Sequence, residues 1–128
     1  MAFEKTRKTF PGAPPGCEVI DTEDLAVDVK VTGAQATWTD TEDAESVAVT
    51  VNLTALAGGT TPSVTFNLQH SPDGVAGAAA FVFSAQTGAG RVTDVTKRNL
   101  HRFVRVAWAT TGTPTTATAN INITAKRR

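Results

Sequence analysis

Two stretches of the chain decide its fold, and they share one construction. The first reads AGGTTPSVTFNL (Ala57 to Leu68) and the second reads ATTGTPTTATANI (Ala109 to Ile121). Each places glycine, threonine and proline between two segments that alternate apolar and polar residues. Glycine accepts a positive φ, whereas proline fixes φ and cannot donate to a strand ladder, so each stretch ends one strand and redirects the chain into the next. We therefore expect each stretch to be the turn of a β-hairpin.

Outward from these turns, the same alternation predicts short strands separated by further turns, such as Ser71-Pro72-Asp73-Gly74. This pattern predicts an all-β fold, an antiparallel two-sheet β-sandwich of seven to eight strands. It leaves an immunoglobulin-like and a jelly-roll-like strand order open. The residues expected in the core are apolar and recur at every second position: Val47, Val49, Val51, Leu53, Val64, Phe66, Leu68, Val104, Val106, Trp108, Ile121 and Ile123.

The first 23 residues differ in composition from the sandwich. Three prolines (Pro11, Pro14 and Pro15) favour an extended path, so residues 1–23 are predicted to form an extended N-terminal arm. The sandwich domain is then expected over 24–125, followed by a basic tail at 126–128. Phe3 and Phe10 give the arm two apolar anchors that could dock on a neighbouring subunit; a frayed terminus is the alternative.

The charges are balanced in number and separated along the chain. There are 12 Lys and Arg against 12 Asp and Glu, with the acids concentrated before Glu45 and the bases after Arg91. Charges arranged in this way can meet inside one fold or across subunits, and both arrangements stay open at this point. The residues predicted to bind a partner come from the arm and from the acidic loop that begins at Asp40: Phe3, Lys5, Arg7, Lys8, Phe10, Asp40, Glu42 and Asp43.

Signals for chemistry are weak throughout the sequence. His70 and His101 sit in no catalytic motif, and the acidic loop lacks the glycine and the regular spacing of a calcium loop. The sequence therefore predicts no enzyme, no catalytic residue, no metal site and no cofactor. Acids upstream of the basic region argue against nucleic acid as a partner, and no apolar run approaches the ~20 residues of a membrane span. Cys17 is the single cysteine, which excludes an intrachain disulfide.

Three longer stretches carry a family resemblance. VAVTVNLTALAGGTTPSVTFNLQHSPDG, FVFSAQTGAG and RFVRVAWATTGTPTTATANINIT, which together span Val47 to Thr124, resemble small β-sandwich proteins from the structural gene clusters of tailed bacteriophages. The shared features are the two Gly-Thr-Pro turns, a Gln-x-Ser-x-Asp-Gly turn and a Thr-Gly-x-Gly turn. The segment Val75 to Ala78 departs from the pattern, because many relatives place an aromatic residue there.

The resemblance implies a bacteriophage virion structural protein, most directly a capsid decoration or cement protein that bridges neighbouring capsid subunits. Its partners would be the major capsid protein or other virion proteins, and its location the virion, after synthesis in the host cytoplasm. Because the charge asymmetry suits a head-to-tail ring, a homo-oligomer is expected, with a trimer as the specific form. The alternatives are a tail-tube, neck or fibre-base component, or a carbohydrate- or receptor-binding module on the virion.

Overall fold

The computed structural model describes residues 5–9, 18–22, 25–41 and 44–126. All regular structure in these residues is β-strand, paired antiparallel in two sheets, so the predicted β-sandwich is confirmed. The strands are β1 (Lys5–Thr9), β2 (Glu18–Thr22), β3 (Leu25–Asp28), β4 (Gly33–Ala34), β5 (Thr39–Asp40), β6 (Ser46–Ala57), β7 (Ser63–Ser71), β8 (Ala78–Val82), β9 (Gly90–Arg98), β10 (Phe103–Thr111) and β11 (Thr116–Lys126).

The strand order identifies the sandwich as a jelly roll. The first sheet has the order β1-β2-β11-β6-β9, and β3 continues the position of β2 along β11. The second sheet has the order β4-β10-β7-β8, and β5 continues the position of β4 along β10. When each interrupted strand is taken as one, successive strands from β2 onward follow the double Greek-key path of a jelly roll. The immunoglobulin-like alternative is therefore excluded.

The core lies between the two sheets and follows the alternation of the sequence. Every residue predicted for the core is buried. The core also contains residues that the prediction did not include, namely Val29, Phe83, Ala117, Ala119 and Ala125. The three alanines alternate with outward-facing residues of β11, which keeps the period of two. Each large side chain in this core contributes about 1.5–3 kcal/mol by its removal from water.

The two Gly-Thr-Pro turns join the sheets instead of forming hairpins, so that part of the prediction was wrong. β6 lies in the first sheet and β7 in the second, while β10 lies in the second and β11 in the first. We call these turns the first arch (residues 58–62) and the second arch (residues 112–115). A turn motif specifies where the chain changes direction, but the sheet that the next strand joins is set by burial of its apolar face.

The two arches pack against each other. Thr60 N donates to Gly112 O over 2.9 Å, and Thr115 N donates to Ala57 O over 3.0 Å. Gly59 and Gly112 have φ values of 69° and 82°, and a Cβ on either residue would collide with the backbone of the opposite arch. Glycine is therefore required at both positions for conformation and for space.

The N-terminal segment contributes two strands to the first sheet. Within the predicted arm, residues 5–9 and 18–22 pair with each other as β1 and β2, and β2 pairs with residues 124–126 of β11. Phe3 and Phe10 lie outside the described residues, as do Glu42 and Asp43 of the acidic loop. Of the predicted basic tail, Lys126 ends β11.

Candidate functional site

His70 and His101 stack on each other at one end of the sandwich. Their ring centroids are 4.5 Å apart, and the backbone N–H of His101 donates to Nδ1 of His70 over 3.1 Å. Partial burial, together with the proximity of His101, lowers the pKa of His70. A shallow depression of about 260 Å³ next to the pair is lined by Pro72, Ala76, Gly77 and Ala78. Because Nδ1 of His70 accepts this hydrogen bond, the proton of the neutral imidazole is on Nε2, and neither nitrogen has a free lone pair with which to act as a base.

Ser71 and Asp73 form the turn that leads into β8. The Ser71 hydroxyl lies 2.8 Å from Oδ1 of Asp73 and 2.6 Å from the carbonyl oxygen of Ala76. Oδ1 of Asp73 also accepts from Val75 N and Ala76 N over 2.9 and 3.2 Å. Hydrogen bonds from Val75, Ser71 and Ala76 hold the pKa of Asp73 below its usual value. These hydrogen bonds all lie within the turn, and Ser71 is buried, so the hydroxyl stabilises the turn and is not presented to a substrate.

Metal and membrane chemistry find no support in the part of the chain that the structure describes. No group of three or more His, Cys, Asp or Glu side chains converges as a set of metal ligands there. Over the same residues, no helix is long and apolar enough to cross a membrane.

Acidic and basic regions meet within one chain at two places. Arg102 forms a bidentate pair with Asp40, with Nε–Oδ1 and NH2–Oδ2 distances of 2.8 Å each. Arg98 lies 3.3 Å from Glu45. Of the predicted partner-binding residues, Asp40 is therefore engaged in an intramolecular pair. Lys5, Arg7 and Lys8 lie in β1.

Trp38 lies on the outer side of the second sheet, beneath a cation. The guanidinium of Arg105 is 4.3 Å from the Trp38 ring centroid, and its Nε donates to Oε1 of Gln69 over 2.8 Å. Because Arg105 is fixed over the indole face, that face is not an open platform for stacking on a ligand.

The outer edges of the first sheet are formed by β1 and β9, and both carry basic residues. β1 has the sequence KTRKT, and β9 ends with Lys97 and Arg98. Charged residues on an edge strand discourage pairing with another chain, because such pairing would remove the charges from water. Basic residues are therefore present on both edge strands of this sheet, where they oppose pairing with another chain.

One edge of the second sheet is interrupted, and Gln35 fills the interruption. β4 and β5 pair with different parts of β10, and between them Gln35 N donates to Val106 O over 2.9 Å. The Gln35 side chain completes the ladder, because its Oε1 accepts from Val106 N over 2.8 Å. An edge made of two-residue pieces offers no continuous ladder to a second chain.

The other edge of the second sheet is β8, which contains no charged residue and is not interrupted, although its pairing with β7 shifts register once and Lys97 of β9 lies 4.5 Å from the Phe81 ring centroid. No charged residue occurs between Asp73 and Arg91, and β8 itself reads AAAFV. Val82 on this strand is 59% exposed, and Val75 in the preceding turn is 80% exposed. Sequence reasoning missed this edge, although the uncharged stretch around Phe81 and Phe83 was the signal that could have revealed it.

Comparison with known proteins finds a similar fold among solved structures. No protein-family model matches the chain, and no curated protein matches it. Among solved structures, the fold is similar to a chain of Bacillus endospore appendages, described as a novel family of disulfide-linked pili. The TM-score is 0.50 at 20% sequence identity, and the match covers 84% of this chain and 88% of that chain. At this identity the likeness shows a shared fold.

The interpretation of the chain as a bacteriophage virion structural protein is wrong. A solved structure with a similar fold belongs to a bacterial endospore appendage, and no family model or curated protein links the chain to a virion. This correction covers the capsid decoration or cement role with its capsid partner, and also the tail-tube, neck, fibre-base and virion-borne receptor-binding alternatives. The physical reason is that the motifs behind the resemblance are turns and arches, which any jelly roll can use whatever its role.

Proposed function

We propose that this chain is a non-enzymatic structural protein that associates with further copies of itself. The observation that carries the proposal is the uncharged stretch between Asp73 and Arg91, which borders the second sheet and leaves Val75 and Val82 exposed. Exposed apolar surface next to an unpaired strand is a common mark of a protein contact.

The chain's polar groups support the same function. His70, Ser71 and Asp73 hold a turn and a loop, while Arg102 and Arg98 pair with acids of the same chain. In the described residues, these side chains stabilise the fold, and of them His70 borders the shallow depression described above. A protein of this kind works by contact with a partner.

The fold likeness to an appendage that forms pili is consistent with this proposal. Those pili are described as disulfide-linked. This chain has a single cysteine, Cys17, and one cysteine per copy can join two copies but cannot continue a chain of disulfides. The association proposed here is therefore non-covalent.

Sedimentation velocity and light scattering of the purified protein, over a wide range of concentration, test the proposal. We expect species larger than the monomer whose fraction rises with concentration. Their amount should be the same with and without reductant, and the same in a Cys17→Ser variant. A protein that stays monomeric at the highest attainable concentration would overturn the proposed function.

A further inference from the structure

We propose that the outer edge of β8 is the self-association surface and that its partner is β8 of a second copy, paired antiparallel about a two-fold axis. This inference rests on the proposed function and specifies its surface and its geometry. In such a contact the second sheets of two copies form one continuous sheet.

β8 pairs with β7 along its inner side, with a register shift between Leu68 and Gln69 that skips Ala80, and its outer side is an edge. β8 pairs with β7 from Ala78 to Val82, and beyond the strand Phe83 N donates to Phe66 O over 2.9 Å. A further bridge joins Gln86 to Val64. No strand in the described residues pairs with the opposite side of this segment. Alternate backbone N–H and C=O groups on that side are therefore available to a second chain.

The side chains of β8 suit a close approach of two backbones. Ala78 and Ala79 are small and exposed, and they place no long side chain in the way of a neighbouring strand. Val82 is a β-branched residue that would be covered by the partner strand, and such residues stabilise sheets through cross-strand contacts. The edge thus combines an open ladder with an apolar residue that the single chain leaves in water.

A comparison of the charges on the edge strands favours β8 of a second copy as the partner strand. Pairing β8 with β9 of another copy would remove the exposed Arg98 side chain from water beside Val82, which is unfavourable, and β1 has three basic residues in its sequence KTRKT. The edge formed by β4 and β5 has no continuous ladder to offer. Two copies of β8 bring together strands without any charged residue. Identical surfaces that meet in this way form an isologous contact, which closes at two copies.

A head-to-tail contact between acidic and basic regions, which the predicted trimer would use, is less well supported. Asp40 and Arg102 already pair with each other, as do Glu45 and Arg98. Moving these charges to a contact between copies would break pairs within the chain. A single short strand buries less than the about 1,600 Å² of a standard protein interface, so we expect the dimer to depend on concentration.

Charged substitutions at two exposed valines test the surface. Val82→Lys gives β8 a basic residue like those on the edges of the first sheet. Val31→Lys is the matched control, because Val31 is 77% exposed and lies beside β4 on the opposite edge. In sedimentation velocity we expect V82K to be monomeric at concentrations where the unsubstituted protein and V31K are dimeric. At a concentration low enough for all three to be monomeric, they should have the same thermal midpoint, which excludes misfolding as the cause.

Single cysteines test the two-fold axis. In a Cys17→Ser background, cysteine is placed in turn at Ala78, Ala80 and Val82, and each variant is oxidised at a concentration where the protein associates. An isologous antiparallel contact brings only positions near the axis together, so we expect one position to form disulfide dimers far more efficiently than the others. Dimers that respond to V82K but form no cross-link at any of these positions would overturn the two-fold pairing.

The outcomes separate this inference from the proposed function. If the unsubstituted protein is monomeric throughout, the proposed function fails, and the inference about β8 fails with it. If the protein associates but V82K and V31K associate equally well, the β8 surface is wrong while self-association stands.

Discussion

His70 has a titratable side chain, and in the folded protein this side chain accepts a hydrogen bond from the backbone. Its Nδ1 accepts the N–H of His101, and the two imidazoles are stacked. Nδ1 can accept this hydrogen bond only when it carries no proton, so the folded state favours the neutral form of His70. The loop before β10 is thereby tied to the end of β7 in a way that depends on pH.

We expect the free energy of unfolding to fall as the pH drops from about 7 to about 5. The pKa of His70 is lowered in the folded state, so below about 6.5 the unfolded chain binds the proton more readily and unfolding becomes easier. Urea denaturation across this range measures the effect. His70→Asn should reduce the slope, because the Asn Oδ1 can accept the same hydrogen bond but cannot be protonated.

His101→Asn serves as the control for this prediction, because it keeps the backbone N–H that donates to His70 and leaves His70 able to titrate. It should retain a larger pH dependence than H70N. A slope in H70N equal to that of the unsubstituted protein would show that His70 does not cause the effect.

Among the elements, the two arches organise the sandwich. Each carries the chain across the core, and the hydrogen bonds between Thr60 and Gly112 and between Thr115 and Ala57 hold the arches side by side. Ser63 and Thr111 add a hydroxyl contact of 2.8 Å beside them. Because β6 pairs with β11 and β7 pairs with β10, the arches fix the central strands of both sheets together.

Gly112→Ala should destabilise the protein by about 2 kcal/mol or more. Its φ of 82° is unfavourable for alanine, and the new Cβ would lie 2.5 Å from Thr60 O and 2.6 Å from the Pro62 Cα. Gly88→Ala is the control, because a Cβ there meets nothing within 4 Å. Chemical denaturation of both variants measures the difference. Equal stability of the two would mean that the arches do not constrain the fold.

The sequence predicted local features better than relations between distant segments. The strands from β6 to β11 and the core valines followed from a period of two, because that period is a direct result of which face is buried. The crossing of the arches between sheets could not be predicted, since the choice of sheet depends on residues far away in the chain. The role of Gln35 could not be predicted either. Its side-chain oxygen takes the place of a backbone acceptor only because the fold brings Val106 beside it. The β8 edge is defined by strand order, which the sequence left open.

On the scale of the whole molecule, the two sheets share one core and the charges balance inside the chain. Ile123 in the first sheet and Trp108 in the second belong to the same buried cluster. The pair Glu45–Arg98 joins the acidic loop to the end of β9, and the pair Asp40–Arg102 joins it to the segment before β10. Among the described residues, the buried side chains of the two sheets form one cluster, so we expect the sheets to unfold together.

A substitution in one sheet should therefore lower the free energy of unfolding of both sheets by the same amount. Ile123→Val should lower the free energy of unfolding by about 0.5–1.5 kcal/mol. In a Trp38→Phe background, the fluorescence of Trp108 reports on the second sheet and circular dichroism reports on all strands. We expect both signals to shift to the same new midpoint. A Trp108 transition that separates from the circular dichroism signal would contradict a single cooperative unit.

The pairing of β11 also determines when the protein can fold during its synthesis. Ser46 at the start of β6 pairs with Lys126 at the end of β11, and β3 has β11 as its partner in the described structure. A ribosome releases β3 and β6 long before it releases β11. During that time, the edge of each strand that pairs with β11 has no partner strand. Until then the edge of β6 that pairs with β11 has backbone N–H and C=O groups that can pair with other nascent chains. Folding of the first sheet is therefore expected to be completed only after translation of the last strand, which makes this protein dependent on whatever protects its early strands in the cell.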